Sequence, residues 1–171
     1  YAKINLGLDV LGKRSDGYHE VRMVMQSVGL SDAVEIEEGE GLVVETDHSG
    51  LAGGPDNLAW KAAELLARCC GKIPNVHIRL NKKIFLAAGL AGGSSDAAAV
   101  MRGLSRLWQL DLTAPELEKL AAELGSDIPF CITGGTALAE GRGEILTELP
   151  EAPELLLVLA KPKLEVATGW V

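Results

Sequence analysis

One stretch, Ala87-Ala88-Gly89-Leu90-Ala91-Gly92-Gly93-Ser94-Ser95-Asp96, constrains this chain more than any other. Just upstream, Val76, Ile78 and Leu80 alternate with His77 and Arg79, the period of a strand with one buried face. Downstream, three alanines open a segment in which Val100, Leu104, Leu107 and Trp108 recur at helical spacing. A glycine-rich link between strand and helix lets backbone N–H groups converge on an anion, and the helix N-terminus adds positive potential. Ser94 and Ser95 supply hydroxyl donors. The run is neither a P-loop, which needs Gly-Lys-Ser/Thr at the helix start, nor the dinucleotide fingerprint, whose glycines are spaced differently. A plain connector with a serine cap is the competing reading. The length of the run and its two serines favour the anion cradle.

The remaining pattern is mixed. Between Lys3 and Leu11 the residues alternate as a strand, with Ile4, Leu6, Leu8 and Val10 on one face and Lys3, Asn5, Gly7 and Asp9 on the other. Lys3 and Asn5 thus form a polar pair turned away from the apolar stripe. Residues 12–17 are turn chemistry, and strands are expected over 18–28, 33–37 and 42–46, so the first third is mostly antiparallel β. A helix capped by Asp56 or Asn57 carries Leu58, Ala62, Leu65, Leu66 and Cys69 at helical spacing, and Gly71 closes it. Thr113-Ala114-Pro115-Glu116 is a capping box that opens a third helix ending at Gly125. After a Gly134-Gly135 turn, strands are expected over 136–139, 145–149 and 155–160. A β-rich start, helices and late strands make a single α/β (α+β) two-layer sandwich.

Composition narrows the partners. The 171 residues suit one domain, and 16 Lys and Arg against 24 Asp and Glu leave a formal charge of −8. Such a field disfavours nucleic acid and anionic membranes, while a small phosphate ligand can still be held by backbone donors. Cys69, Cys70 and Cys131 are odd in number and include an adjacent pair, so no disulfide framework is readable and a reducing, cytoplasmic setting is expected. No apolar stretch is long enough to span a bilayer as a helix, and no basic-then-apolar signal opens the chain. His48 and His77 read as surface residues, and without a second ligand at metal spacing a zinc site is not expected. The chain opens at Tyr1 and stops inside a continuing pattern, so trimmed ends are expected.

Gly89-Leu90-Ala91-Gly92-Gly93-Ser94-Ser95-Asp96-Ala97-Ala98-Ala99 resembles the phosphate-binding motif of the GHMP kinases, the family of galactokinase, homoserine kinase, mevalonate kinase and phosphomevalonate kinase. Three further segments resemble family motifs in family order: Ala2-Lys3-Ile4-Asn5-Leu6, Asp16-Gly17-Tyr18-His19 and Gly125-Ser126-Asp127-Ile128-Pro129-Phe130, followed by Gly141-Arg142-Gly143-Glu144. The resemblance implies a ribosomal protein S5 domain 2-like fold over 1–160, with 161–171 opening a C-terminal domain. It implies a kinase using ATP and Mg²⁺, with the phosphates held by Gly89, Leu90, Ala91, Gly92, Gly93, Ser94 and Ser95. It gives Asp127 the acceptor hydroxyl's proton, with Lys3 beside it. Asn5, Tyr18, His19, Arg142 and Thr168 are implied as substrate contacts. The double glycine and the Asp16-Gly17-Tyr18-His19 loop are similar to the family member that phosphorylates a cytidyl diphosphate sugar alcohol in isoprenoid precursor synthesis. Rival readings are another small-molecule kinase of the family, or a regulatory protein that kept the cradle and lost catalysis. Phe85 and Tyr1 stand where the family pattern places prolines.

Overall fold

In the computed structural model, residues 1–162 are described; Thr168 and the expected C-terminal opening over 163–171 lie outside the described residues. Seven strands and four helices run in the order β1 (Lys3–Lys13), β2 (His19–Ser27), β3 (Ala33–Glu38), β4 (Leu42–Thr46), α1 (Leu58–Cys70), β5 (Val76–Asn81), α2 (Gly92–Leu107), α3 (Ala114–Ala121), α4 (Ile128–Thr133), β6 (Thr136–Glu140) and β7 (Ile145–Glu148) among those residues. They form two sheets, ordered β1-β2-β6-β7 and β3-β5-β4. The first is antiparallel throughout; in the second, β5 lies antiparallel to β3 and parallel to β4.

The period-two pattern of β5 sets the three-stranded sheet. Val76, Ile78 and Leu80 are buried against α1 and α2, while Arg79 turns outward, 2.7 Å from Glu37 and 3.6 Å from Glu45 on the flanking strands. Onto the inner face pack Ala59, Ala62, Ala63 and Leu66 of α1, and Ala97, Ala98, Val100, Met101 and Leu104 of α2. Alanines on the facing sides let the two helices approach closely. Gly103 of α2 goes further: a Cβ there would stand 2.5 Å from Ile36 Cδ1. The four-stranded sheet buries Met23 and Met25 beneath Phe130 of α4. A third cluster, Ala2, Ile84 and Leu90, ties the start of β1 to the glycine-rich run.

Of the two expected caps for α1, Asn57 does the work: its side chain accepts the Ala59 N–H at 2.8 Å, and Gly71 ends the helix in the left-handed region at φ 62°. Three expectations need correction. The third helix stops at Ala121, four residues short of Gly125, and a separate short helix, α4, starts after Asp127. Residues 155–160 form no strand. Leu156 and Val158 are 100% and 92% exposed, and a strand without a neighbouring edge has nothing to satisfy its backbone. The third correction concerns β1, whose pairing with β2 shifts register between Asn5 and Gly7 and again between Val10 and Gly12. Bulges absorb Leu6 and Leu11, so Leu8 and Val10 stand opposite Met23 and Val21 on the same face as Lys3 and Asn5, which stand opposite Ser27 and Met25. That face is polar at one end and apolar at the other, with Leu8 and Val10 half exposed. No described helix is long and apolar enough to cross a membrane.

A Cβ built on Gly53 would lie 1.9 Å from the Val44 carbonyl oxygen, whereas one on Gly54 meets nothing within 4 Å. Gly53→Ala is expected to cost about 1–3 kcal/mol through backbone displacement, in the range of an overpacked site. Urea unfolding of both single variants checks this, with Gly54→Ala close to wild type.

Candidate active site

The first turn of α2 is built unlike its neighbours. Asn57 caps α1, and at α3 the Glu116 carboxylate accepts from the Thr113 N–H at 2.8 Å and from its hydroxyl at 2.7 Å. At α2 the N-cap is Ala91, no side chain caps the helix, and no acidic residue lies in the first turn. The leading N–H groups of a helix have no intrahelical partners, and here no carboxylate offsets the positive end of the dipole. The Ser95 hydroxyl donates to the Gly92 carbonyl at 3.0 Å, which commits it to the helix itself. Ser94, half-buried one residue earlier, is the hydroxyl left at the helix mouth.

The approach to α2 is coiled. Ala87, Gly89 and Ala91 have φ of 50°, 69° and 57°, every second residue in the left-handed region. Alternation of this kind turns successive N–H groups to one side and makes an anion-binding concavity. Two of the three positions are alanines, which adopt such angles only under constraint. The constraint is visible: Leu90 is buried, and its carbonyl accepts the Lys3 backbone N–H at 3.0 Å. A Cβ on Gly92 would stand 3.0 Å from Ile84 Cγ2 and 3.3 Å from Ile84 Cβ.

That backbone bond brings the first strand to the cradle. The Lys3 ammonium lies 3.4 Å from Asp127 Oδ2 and donates to Asn5 Oδ1 at 3.3 Å. Its side chain is 7% exposed and that of Asp127 32%, so a buried cation backs a carboxylate that reaches solvent. Asp127 is held there by α4, whose Ile128, Pro129, Phe130 and Ile132 are buried, with Pro129 in the first turn. Cys131 on the same helix is no rival nucleophile. Burial pushes its thiol up to about 12, with the Asp127 charge adding to the effect, and the reactive thiolate is absent near neutral pH.

A second group of expected residues gathers beyond Met23. The Arg142 guanidinium lies 5.0 Å from the Tyr18 ring centroid, within cation–π range. Arg142 is fixed by Glu144, which accepts its backbone N–H at 2.7 Å and its Nε at 3.3 Å, and it donates through Nη2 to the Ala122 carbonyl at 3.0 Å. The turn leans back toward Asp127, since a Cβ on Gly143 would lie 3.7 Å from Ser126 Cβ. Asp16 shapes the loop ahead of Tyr18: Oδ1 accepts the Tyr18 N–H and Oδ2 the Arg14 Nε, each at 3.1 Å. The Tyr18 N–H and the Arg14 guanidinium hold the Asp16 carboxyl below its ordinary range. His19 is exposed at the first position of β2. Lys3, Asn5, Asp127 and the cradle are thus brought together, and Tyr18 with Arg142. The sequence assigns no role to Glu144, though it closes the Gly141-Arg142-Gly143-Glu144 segment, and it does not anticipate a buried cluster of Asp32, Lys82 and Asp96. Asp96 closes the glycine-rich motif, but Asp32 and Lys82 carry no local signal.

The GHMP kinases N terminal domain matches residues 57–135. The 4-diphosphocytidyl-2-C-methyl-D-erythritol kinase of Synechococcus sp. (strain JA-3-3Ab) is 53% identical over 171 residues, covering 99% of this chain and 55% of that protein. The enzyme of the same name from Acetivibrio thermocellus is 50% identical over 172 residues, covering 100% of this chain and 61% of its own length. A crystal structure of 4-(cytidine 5'-diphospho)-2C-methyl-D-erythritol kinase aligns with a TM-score of 0.73 at 40% identity, over 86% of this chain and 53% of that one. A mevalonate kinase shares the fold at a TM-score of 0.65 and 15% identity, over 87% of this chain and 54% of that one. Residues 57–135 thus match the GHMP kinases N terminal domain, and the chain is similar over nearly its whole length to part of these kinases. It spans 55% and 61% of the length of the two curated relatives.

Gly92→Val forces Ile84 aside and displaces the first turn of α2. Nucleoside triphosphate affinity of the full-length protein, measured by calorimetry, is expected to fall at least about tenfold, since one lost charge-assisted hydrogen bond already amounts to that.

Proposed function

We propose that the full-length protein is a 4-diphosphocytidyl-2-C-methyl-D-erythritol kinase, transferring the terminal phosphoryl group of ATP to the 2-hydroxyl of its substrate in cytoplasmic isoprenoid precursor synthesis. The observation that carries this reading is the Lys3–Asp127 pair, tied to the uncapped start of α2 by the Lys3 to Leu90 backbone bond. Relatives at about half identity bear that name.

Phosphoryl transfer leaves little covalent work for a protein, so position and electrostatics dominate. The backbone of residues 89–93 and the Ser94 hydroxyl receive the phosphates, and the α2 dipole favours their charge. The Ser95 hydroxyl, bonded to the Gly92 carbonyl, braces the cradle from within the helix. Asp127 orients the acceptor hydroxyl and takes its proton, while Lys3 beside it steadies charge on the transferring group. Asn5, on the same face, positions the methylerythritol end. Tyr18 offers a stacking face for cytosine and His19 a hydrogen bond to the base edge, with Arg142 bracing the tyrosine and facing the diphosphate. Among the described residues no three acidic, histidine or cysteine side chains converge to hold a metal. Mg²⁺ commonly arrives bound to nucleotide phosphates and keeps much of its water.

Asp127→Asn should lower turnover by at least about 10²-fold, the lower end of general-base assistance, with ATP binding little changed. Groups that act as a unit are non-additive. A double-mutant cycle with Lys3→Ala is therefore expected to show the pair costing little more than the worse single change. Fully additive losses, or an active Asp127→Asn enzyme, would contradict the assignment. For the base site, a stacked ring contributes about 1–3 kcal/mol. Tyr18→Ala should raise the KM for the cytidyl substrate clearly while that for ATP barely moves; equal effects on both would point to lost folding.

A further inference from the structure

Beneath the cradle lies a cluster of charge that the proposed chemistry does not use. Lys82, at the end of β5, reaches Asp32 and Asp96 together, and the three side chains are 1%, 2% and 2% exposed. The ammonium meets Asp96 Oδ2 at 2.5 Å and also bonds Asp32 Oδ2. Asp32 Oδ1 in turn accepts the backbone N–H groups of Lys83 at 2.5 Å and Ile84 at 2.8 Å, where the chain leaves the strand for the glycine-rich run. Asp96 sits in the opening turns of α2, where that run ends. The three side chains therefore join both ends of the 83–91 segment. A Cβ on Gly92 would lie 3.6 Å from Lys82 Nζ, so the ammonium is directly below the cradle floor.

The charge does not balance. Two carboxylates share one ammonium, and Asp96 Oδ1 is buried with no hydrogen-bond partner. A buried carboxylate oxygen left unpaired is costly, and one proton on the cluster removes both the net charge and much of that cost. From this geometry we infer that Asp32, Lys82 and Asp96 form a proton-holding clasp that positions the phosphate loop, with nucleotide binding favouring its protonated, neutral state.

The two acids divide the roles. Burial raises Asp32, but the Ile84 N–H, the Lys82 ammonium and the Lys83 N–H outweigh it and hold Asp32 below its ordinary value. Burial lifts Asp96 to about 6; Lys82 opposes the rise and the Asp32 charge adds to it. Asp96 is thus the group that takes the proton. The titratable groups facing it are Lys82, Asp32 and, from α4, Cys131, whose thiol stays protonated throughout the relevant range. Phosphates arriving at the start of α2 place anionic charge near Asp96 and raise its proton affinity further. The sign follows by linkage: nucleotide affinity is highest with Asp96 protonated and falls as pH rises through about 6 toward the higher value in the complex. Each unit of further rise makes up to about a tenfold difference in affinity across that window.

The inference rests on the nucleotide reading, and the test separates the two. ATP affinity of the full-length protein is measured by calorimetry at pH 5.5 and pH 8 for wild type and Asp96→Asn, which keeps the shape and mimics the protonated form. The titration of ATP itself is common to both proteins and cancels. Wild type is expected to lose several-fold more affinity than Asp96→Asn between the two pH values, and Asp96→Asn to bind at least as tightly as wild type at pH 8. A residue serving structure alone would give a loss of affinity independent of pH, and parallel profiles in a wild type that binds ATP would overturn the clasp. A wild type that binds no ATP would overturn the nucleotide reading and the clasp with it. A measurement that needs no variant is the carbon-13 titration of the Asp96 carboxyl: its midpoint should rise on adding ATP, and an unmoved midpoint counts against the inference.

Discussion

The hydrogen bond from the Lys3 N–H to the Leu90 carbonyl is the joint between the two halves of the candidate site. On one side of it a strand delivers a buried cation. On the other, a coiled backbone delivers donors. Neither half is held by itself: β1 exposes most of its length, and the 83–91 segment belongs to no strand or helix until α2 begins. What fixes them is packing nearby, Ala2, Ile84 and Leu90 on one side and the tight α1–α2 contact on the other. The core thus positions a helix start whose polar groups are deliberately left unsatisfied, the kind of local conflict that marks functional sites.

Charge is arranged to the same end. The chain is acidic, with a formal charge of −8, yet an anion reaching the start of α2 meets no first-turn carboxylate. Glu35, Glu37 and Glu45 sit on the outward face of the three-stranded sheet with Arg79 among them, remote in role from the cradle. Asp32 and Asp96 lie close, but Lys82 stands between them. The global sign of a protein says little about a ligand seated on backbone donors.

How much of this was legible follows from where each signal lies. The first helix declared itself because its cap, its apolar stripe and its closing glycine are all local. The short α4 did not, since six residues carry no measurable period and Asp127 alone reads as an ordinary turn carboxylate. The strand expected over 155–160 came from an apolar run whose fate depends on a neighbouring edge. In β1 the alternation was real but two bulges reset it, and nothing in an isolated strand shows where its partner will skip a residue. Family motifs brought Lys3 and Asp127 together in expectation. No motif joins Asp32 to Lys82, fifty positions apart, so the clasp had to be seen in three dimensions.

The left-handed alanines at 87 and 91 bear on how the loop spends its freedom. Glycine would accept those angles at no steric cost but would also wander widely in the unfolded chain. Alanine wanders less, and once the fold has pressed it into place it has few other shapes to visit. The ordering that a flexible loop would undergo on meeting any ligand is here completed during folding, and a pre-ordered loop loses less entropy on binding. A loop of this kind has the character of a mould and not of a lid.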